Sequence, residues 1–323
     1  TDATTSQCYN PQTRDWAWPM LDKLGLPAKI FGNIVEPGAN LGKLRPNLIE
    51  ETGLRNAEVI VPAAHDTASA VLAVPTTVRV GAPASWCYIS SGTWSLMGVE
   101  TPTPVLTPEC LKAGFTNEGG VLGTTRLLKN ITGLWIIQEC RRIWARAGRE
   151  YSWSDLTRAA ADAPTLTSFI DPDHPDFSAP GDMPNAIRAY CQRTGQSVPS
   201  SEGAVIRTAI ESLALKYRKT LELIEGLTGT PIETIHIVGG GVQNETLCQA
   251  AADACGKPVV AGPVETTAAG NCLMQAIAVG AIGSIDEARA VIRASFPVKT
   301  YEPRSRDAWR SAYDKFLGIL AQG

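Results

Sequence analysis

Residues Thr234 to Val238 form a compact apolar run that passes directly into Gly239-Gly240-Gly241. Asn244 to Cys255 then reads as a helix closed by Gly256, and Pro258 to Ala261 as another strand. Strand, helix and strand at this spacing make a βαβ unit, so the expected class is α/β. The glycine turn falls at the carboxyl end of a strand and opens toward a helix N-terminus. Phosphates and nucleotides bind at such places, because glycine lets a ligand reach the backbone and the helix dipole favours anions. A dinucleotide fingerprint needs G-x-G-x-x-G, and Asn244 stands where its last glycine belongs. This weakens a Rossmann-type dehydrogenase. No G-x-x-x-x-G-K-[ST] occurs, which argues against a P-loop enzyme.

A second constraint is Trp86 to Met97, where β-branched and aromatic flanks enclose Ser90-Ser91-Gly92-Thr93. The pattern reads as strand, tight turn, strand. Hydroxyls and approachable N–H groups in such a turn suit a phosphate, although a plain surface hairpin has the same composition. Upstream, Glu58 to Val61 is a short strand leading to His65-Asp66-Thr67 and a small-residue helix, Ala68 to Ala73. Asp66 has two compatible readings, an N-cap for that helix and a carboxylate that accepts a proton from a substrate hydroxyl. Nucleotide pieces plus a base are what phosphoryl transfer requires, together with charge neutralisation by a metal.

The totals narrow the class further. In 323 residues the formal charge is -3, which provides no field for gripping nucleic acid or an anionic membrane. Hydrophobic residues make up 44% and charged residues 19%, as in ordinary globular proteins with room for two domains. The longest apolar candidate, Cys272 to Gly283, is broken by Gln275 and is too short to span a bilayer. Eight cysteines are scattered without a C-x-x-C pair, which fits reduced thiols in a cytoplasm. The three histidines form no zinc pattern, and no signal or transit segment is recognised.

Between these landmarks, Asp15 to Leu21 reads as the start of a short helix, and Phe31 to Gly53 as loops with one short strand. A composition change near Pro75 suggests a domain boundary there. Gly114 to Val121 reads as a turn-bearing hairpin. A long amphipathic helix is expected next, with Leu128, Ile131, Trp135 and Ile143 on one face and Asn130 and Gln138 among its polar positions. Pro164 to Ser200 is expected to be an ordered loop holding a helix from Pro184 to Thr194. Glu202 to Leu227 is the clearest helix, and its apolar stripe is core. Thr267 to Ile282 is a small-residue helix expected to pack behind the βαβ unit, and Ser305 to Leu320 a closing amphipathic helix.

At this density of motifs the sequence resembles the FGGY family of carbohydrate kinases, within the actin/hexokinase-like ATPases. The match is carried by Thr1 to Gln7, His65 to Val71, Ser90 to Gly98, Thr116 to Gly120, Leu128 to Trp135 with Gln138, Pro180 to Pro184, His236 to Gly241 and Ala261 to Glu265. The resemblance implies a ribonuclease H-like fold and ATP-dependent phosphorylation of L-rhamnulose on its C1 hydroxyl. It implies Asp66 as general base, with His65, Thr67 and Asn130 touching the sugar. It implies Thr93, Gln138, Gly239, Gly240, Gly241 and Asn244 as ATP contacts, with Mg2+ carried on the ATP phosphates.

One departure is large. The family's first domain carries an Asp-x-Gly phosphate loop, and no Asp-x-Gly followed by Ser or Thr occurs here. The chain also begins at Thr1 rather than at a methionine. Residues 1–74 are therefore expected to be the remaining C-terminal part of a truncated sugar lobe, and residues 75–323 a complete nucleotide lobe. On this reading the isolated chain binds ATP weakly at most and turns over no sugar. The alternatives are a kinase for another ketose such as L-fuculose, and a non-catalytic actin-like ATP-binding module.

Overall fold

A computed structural model describes residues 1–322. In chain order its elements are β1 (Tyr9–Asn10), β2 (Asp15–Trp16), α1 (Trp18–Lys23), β3 (Asn40–Lys43), α2 (Pro46–Thr52), β4 (Glu58–Ile60), α3 (Asp66–Leu72), β5 (Trp86–Ser91) and β6 (Trp94–Thr101). They continue with α4 (Pro108–Lys112), β7 (Thr116–Gly119), β8 (Thr125–Thr132), α5 (Trp135–Arg146), α6 (Trp153–Asp162), α7 (Met183–Arg193) and α8 (Glu202–Thr228). The last are β9 (Thr234–Val238), α9 (Glu245–Cys255), β10 (Val259–Ala261), α10 (Thr266–Ala278), α11 (Ile285–Ser295), β11 (Lys299–Tyr301) and α12 (Arg306–Leu320). Two compact units result. The first gathers Thr1–Ala84, Gly98–Leu128 and Glu265–Pro297; the second gathers Ser85–Met97, Lys129–Val264 and Val298–Gly323.

The second unit is built on the βαβ segment. Strand β9 pairs in parallel with β5, Tyr88 opposite His236, and with β10, Val259 opposite Ile235. Strand β11 closes the edge antiparallel to β10. Cys87, Tyr88, Ile89, Ile235, Ile237 and Val238 are all fully buried, as expected of parallel strands covered on both faces. Helix α8 is capped at one end by the Ser201 hydroxyl and stopped at the other by Gly229 at φ 66°. It packs against α6 and α9. Its expected stripe is core: Ile206, Ile210, Leu213, Tyr217, Leu221 and Ile224 are buried. Before it, Phe169 and Phe177 of the preceding loop and Met183 and Tyr190 of α7 are buried as well.

The first unit is organised around α3, α10 and α11. Ala68, Leu72, Leu273, Met274, Ile285, Ala288 and Ile292 form one cluster between them. Each large side chain buried there contributes about 1.5–3 kcal/mol. In the same unit β7 pairs antiparallel with β8, Glu118 opposite Arg126. That pair also makes a buried ion pair at 2.9 Å, and Arg289 makes another with Glu100 at 3.0 Å.

Four expectations are corrected. The helix expected to carry Leu128, Ile131, Trp135 and Ile143 is a strand, β8, followed by a helix, α5. Pairing with β7 overrides the helical spacing, and Gly133 makes the break. A Cβ there would lie 2.7 Å from the backbone of Trp94 and Ser95. Helix α2 lies within the stretch read as loops, with Pro46 in its first turn and Gly53 left-handed at its end. His65, not Asp66, is the N-cap of α3, and Asp66 is its first helical residue. Helix α10 packs on α3 rather than behind the βαβ unit.

Candidate functional site

The glycine turn and the Ser-Ser-Gly-Thr hairpin belong to the second unit and meet there. Gly239 has φ 86°, a left-handed conformation that a side chain would strain. A Cβ on Gly239 would approach Ser91 O to 3.0 Å, and one on Gly241 would lie 2.0 Å from Ser91 Oγ. At Gly240 a Cβ would meet nothing within 4 Å. The outer two glycines therefore let the strand end reach the hairpin, while the middle one faces open space. On its other side the hairpin is pinned to α5. Leu134 N–H donates to Gly92 O at 3.1 Å, and Trp135 N–H to Thr93 O at 3.0 Å. The Thr93 hydroxyl donates to Gln138 Oε1 at 3.2 Å. Beneath it, Ser95 Oγ and Tyr217 OH lie 2.6 Å apart in the core, and burial holds the Tyr217 hydroxyl well above its ordinary pKa.

These elements enclose a cleft of about 270 Å³. Gly92 from the hairpin, Gln138 from α5, and Gly240 and Asn244 from the glycine turn supply its polar wall. Asn244 also caps α9 by accepting from Leu247 N–H at 3.0 Å. The apolar wall is Leu134 at the N-cap of α5 with Ile137 within it, Trp153 and Leu156 of α6, and Ile206 of α8. A mostly apolar slot with a few convergent polar groups is the usual form of a small-molecule site. The role of α6 was not foreseen. Its start is signalled by the capping box of Ser152 and Asp155, but nothing local says that Trp153 turns toward a cleft. The guanidinium of Arg141 lies over the Trp153 ring, 4.8 Å from its centroid.

In the same unit, a buried cation braces the end of β8. Lys216 Nζ lies 2.7 Å from Asp171 Oδ1 and 2.9 Å from Asp173 Oδ2. Burial draws the Lys216 pKa down, but the two aspartates outweigh it and hold it above the ordinary lysine value. Asp173 also accepts from Thr132 N–H at 2.8 Å, fixing the strand end two residues after the exposed Asn130. Lys129 is half-buried, and burial with the neighbouring Lys216 charge lowers its pKa.

In the first unit, His65, Asp66 and Thr67 are consecutive at the start of α3. The Asp66 side chain is 78% exposed. Its Oδ1 accepts from Thr67 N–H at 2.6 Å and lies 3.5 Å from His65 Nδ1. Thr67 itself is buried, so α3 presents only the carboxylate and part of the imidazole to solvent. Of the residues proposed from sequence, Gln138, Gly240 and Asn244 share one cleft, with Thr93 bonded to Gln138. Gly239 and Gly241 pack on Ser91. Among the described residues no cluster of three His, Cys, Asp or Glu side chains is arranged to hold a metal. No helix among them is long and apolar enough to cross a membrane.

Comparison with known proteins agrees with this architecture. Residues 1–73 match the model of the N-terminal domain of the FGGY family of carbohydrate kinases, and residues 87–279 that of its C-terminal domain. The chain is 46% identical over 320 residues to a rhamnulokinase from Bacteroides thetaiotaomicron, covering 99% of this chain and 64% of that protein. It is 41% identical to a rhamnulokinase from Enterococcus faecalis, covering 98% and 63% respectively. The chain thus spans less than two thirds of the length of these curated relatives. Among solved structures, a ligand-bound xylulose kinase from Lactobacillus acidophilus superposes with a TM-score of 0.73 at 15% identity, over 98% of this chain and 62% of that one. Plasmodium falciparum glycerol kinase with ADP gives 0.69 at 12% identity, over 98% and 60%. These likenesses establish the α/β fold as the actin/hexokinase-like, ribonuclease H-like type. With both domain models matched and rhamnulokinases aligned along nearly its whole length, the chain belongs to the FGGY family of carbohydrate kinases.

Proposed function

We propose that this chain is part of an ATP-dependent kinase that phosphorylates the C1 hydroxyl of L-rhamnulose. In this reading residues 1–74 belong to the sugar-binding domain and residues 75–323 form the nucleotide-binding domain. The observation that carries it is the single cleft shared by the hairpin and the glycine turn, two segments far apart in sequence. Its residues fit a nucleotide. Open space at Gly240 lets a phosphate approach the backbone, and Trp153 with Leu156 offers a flat apolar wall to a base. Gln138 and Thr93 supply polar contacts. Charge on the ATP phosphates would be neutralised by magnesium brought in with the nucleotide.

Asp66 is the general base in this proposal. It takes the proton of the sugar hydroxyl as that oxygen attacks the γ-phosphorus of ATP and the bond to the ADP oxygen breaks, releasing ADP, with His65, Thr67 and Asn130 orienting the sugar. The identity to proteins named rhamnulokinase supports L-rhamnulose as substrate. The test uses the protein at its relatives' full length, with Asp66→Asn. Turnover should vanish while ADP binding is spared, and initial rates on L-rhamnulose should exceed those on L-fuculose. Unchanged turnover in Asp66→Asn would remove the base and leave a non-catalytic ATP-binding module as the better reading. The 323-residue chain alone is expected to bind ATP weakly and to release no ADP in response to sugar.

A further inference from the structure

Asp66 reaches into solvent from the first position of α3, and only its Oδ1 is tied down. An exposed carboxylate on two rotatable bonds takes its mean position from the backbone that carries it. That backbone is gripped on both sides by hydroxyl groups remote in sequence. The N–H of His65 donates to Thr1 Oγ1 at 3.0 Å. The Thr267 hydroxyl donates to the carbonyl oxygen of Asp66 at 3.4 Å.

Both hydroxyls are themselves anchored. Thr4 N–H donates to Thr1 O at 3.2 Å, and Gly119 N–H of β7 donates to Thr4 Oγ1 at 2.9 Å. The buried Arg126–Glu118 pair fixes that end of β7, and Arg126 Nε also donates to Gly119 O. On the other side, Thr267, Gly270, Asn271 and Met274 fall at i, i+3, i+4 and i+7, one face of α10. At Gly270 a Cβ would lie 1.9 Å from Ser69 O, so only glycine allows α10 this close to α3. Ser69 Oγ lies 2.6 Å from Asn271 Oδ1 and 2.9 Å from Ala63 O. One hydroxyl proton cannot serve two acceptors. With its amide turned over, Asn271 donates to Ser69, and Ser69 donates to Ala63.

We propose that Thr1 and Thr267 are positioning residues, whose hydroxyls hold the Ala64–His65 and Asp66–Thr67 peptide groups, one before His65 and one after Asp66, and thereby set where the Asp66 carboxylate stands. The proposal rests on the reading of Asp66 as the base. Valine at either position keeps the branched shape and removes the oxygen, whereas serine keeps the oxygen.

Two measurements test it. In the full-length protein, Thr1→Val with Thr267→Val should lower kcat about tenfold, a loss of about 1.4 kcal/mol in transition-state stabilisation, with KM for ATP unchanged. Serine at both positions should restore it. In the 323-residue chain, hydrogen exchange at the His65 amide should quicken in Thr1→Val and remain slow in Thr1→Ser. Should the double variant not fold, each single valine variant is read in the same two ways. Wild-type kcat in the valine variants, a parallel rise in KM for ATP, or no rescue by serine would overturn the proposal. Failure of the base reading is separate. It appears as unchanged turnover in Asp66→Asn, while the exchange measurement at His65 still reports on the clamp.

Discussion

Gly241 stands so close to Ser91 that a Cβ added there would lie 2.0 Å from the serine hydroxyl oxygen, with Ser91 O a further 3.2 Å neighbour. Neither the strand end nor the hairpin has room to yield, because Ser91 is buried and the hairpin turn is bonded to α5. Gly241→Ala is therefore expected to cost about 1–3 kcal/mol, as overpacking does, and to weaken nucleotide binding by moving the hairpin. Gly240→Ala has free space and should leave the melting temperature unchanged while still lowering ADP affinity, because its methyl group stands in the cleft. Paired thermal melts and ADP titrations check the contrast. Equal melting temperatures for the two variants would contradict it.

The same turn shows how far the sequence could be read. A short apolar run into three glycines admits few structures, so β9, the turn and α9 were legible together. The division of labour among the glycines was not, because Ser91 lies about 150 residues away and local spacing says nothing about it. Residues 125–132 misled for a different reason. Leu127 and Leu128 are both buried in β8, and a strand covered on both faces loses the alternation that distinguishes it from a helix. Helix α10 was legible as a helix from its small residues, but its partner was not. The closeness that Gly270 permits is a property of the pair, α3 and α10.

Trp153 gives a prediction that separates base from phosphate. Its ring forms part of the apolar wall, with Arg141 on one face, and is half exposed. Stacking of a base on an aromatic ring is worth about 1–3 kcal/mol. Trp153→Ala should weaken ADP binding about tenfold and leave inorganic tripolyphosphate binding unaltered. Competition titrations with the two ligands decide this, and an equal loss for both would place the ring elsewhere than on the base.

Lys216 gives a stability prediction. The ammonium group is flanked by Asp171 and Asp173, whose side chains are only 22% and 28% exposed. Lys216→Met leaves two neighbouring carboxylates without their cation and frees the end of β8 held through Thr132. Breaking such a pair costs about 3–5 kcal/mol when fully buried, and the partial exposure here points to the lower end. Urea unfolding should show the loss, and Asp171→Asn in the same background should recover part of it. An unaltered midpoint in Lys216→Met would mean that the network contributes nothing.

The buried thiols set the alkaline limit. Burial pushes Cys191 up to about 11 and Cys248 up to about 12, from an ordinary value of 9.0. Below pH 9.0 these thiols are protonated in both folded and unfolded chains, and their contribution to stability is constant. Above it the unfolded chain releases the protons while the folded chain keeps them. The unfolded state then binds fewer protons, and the unfolding free energy falls as pH rises. The loss continues to about pH 11 for Cys191 and about pH 12 for Cys248. Urea midpoints measured from pH 8 to pH 11 should therefore decline, and the decline should be shallower in Cys191→Ala and Cys248→Ala. Identical slopes in the variants and the parent would assign the alkaline loss to other groups, of which the Cys87, Cys140 and Cys255 thiols, raised by the same desolvation, are the next in line.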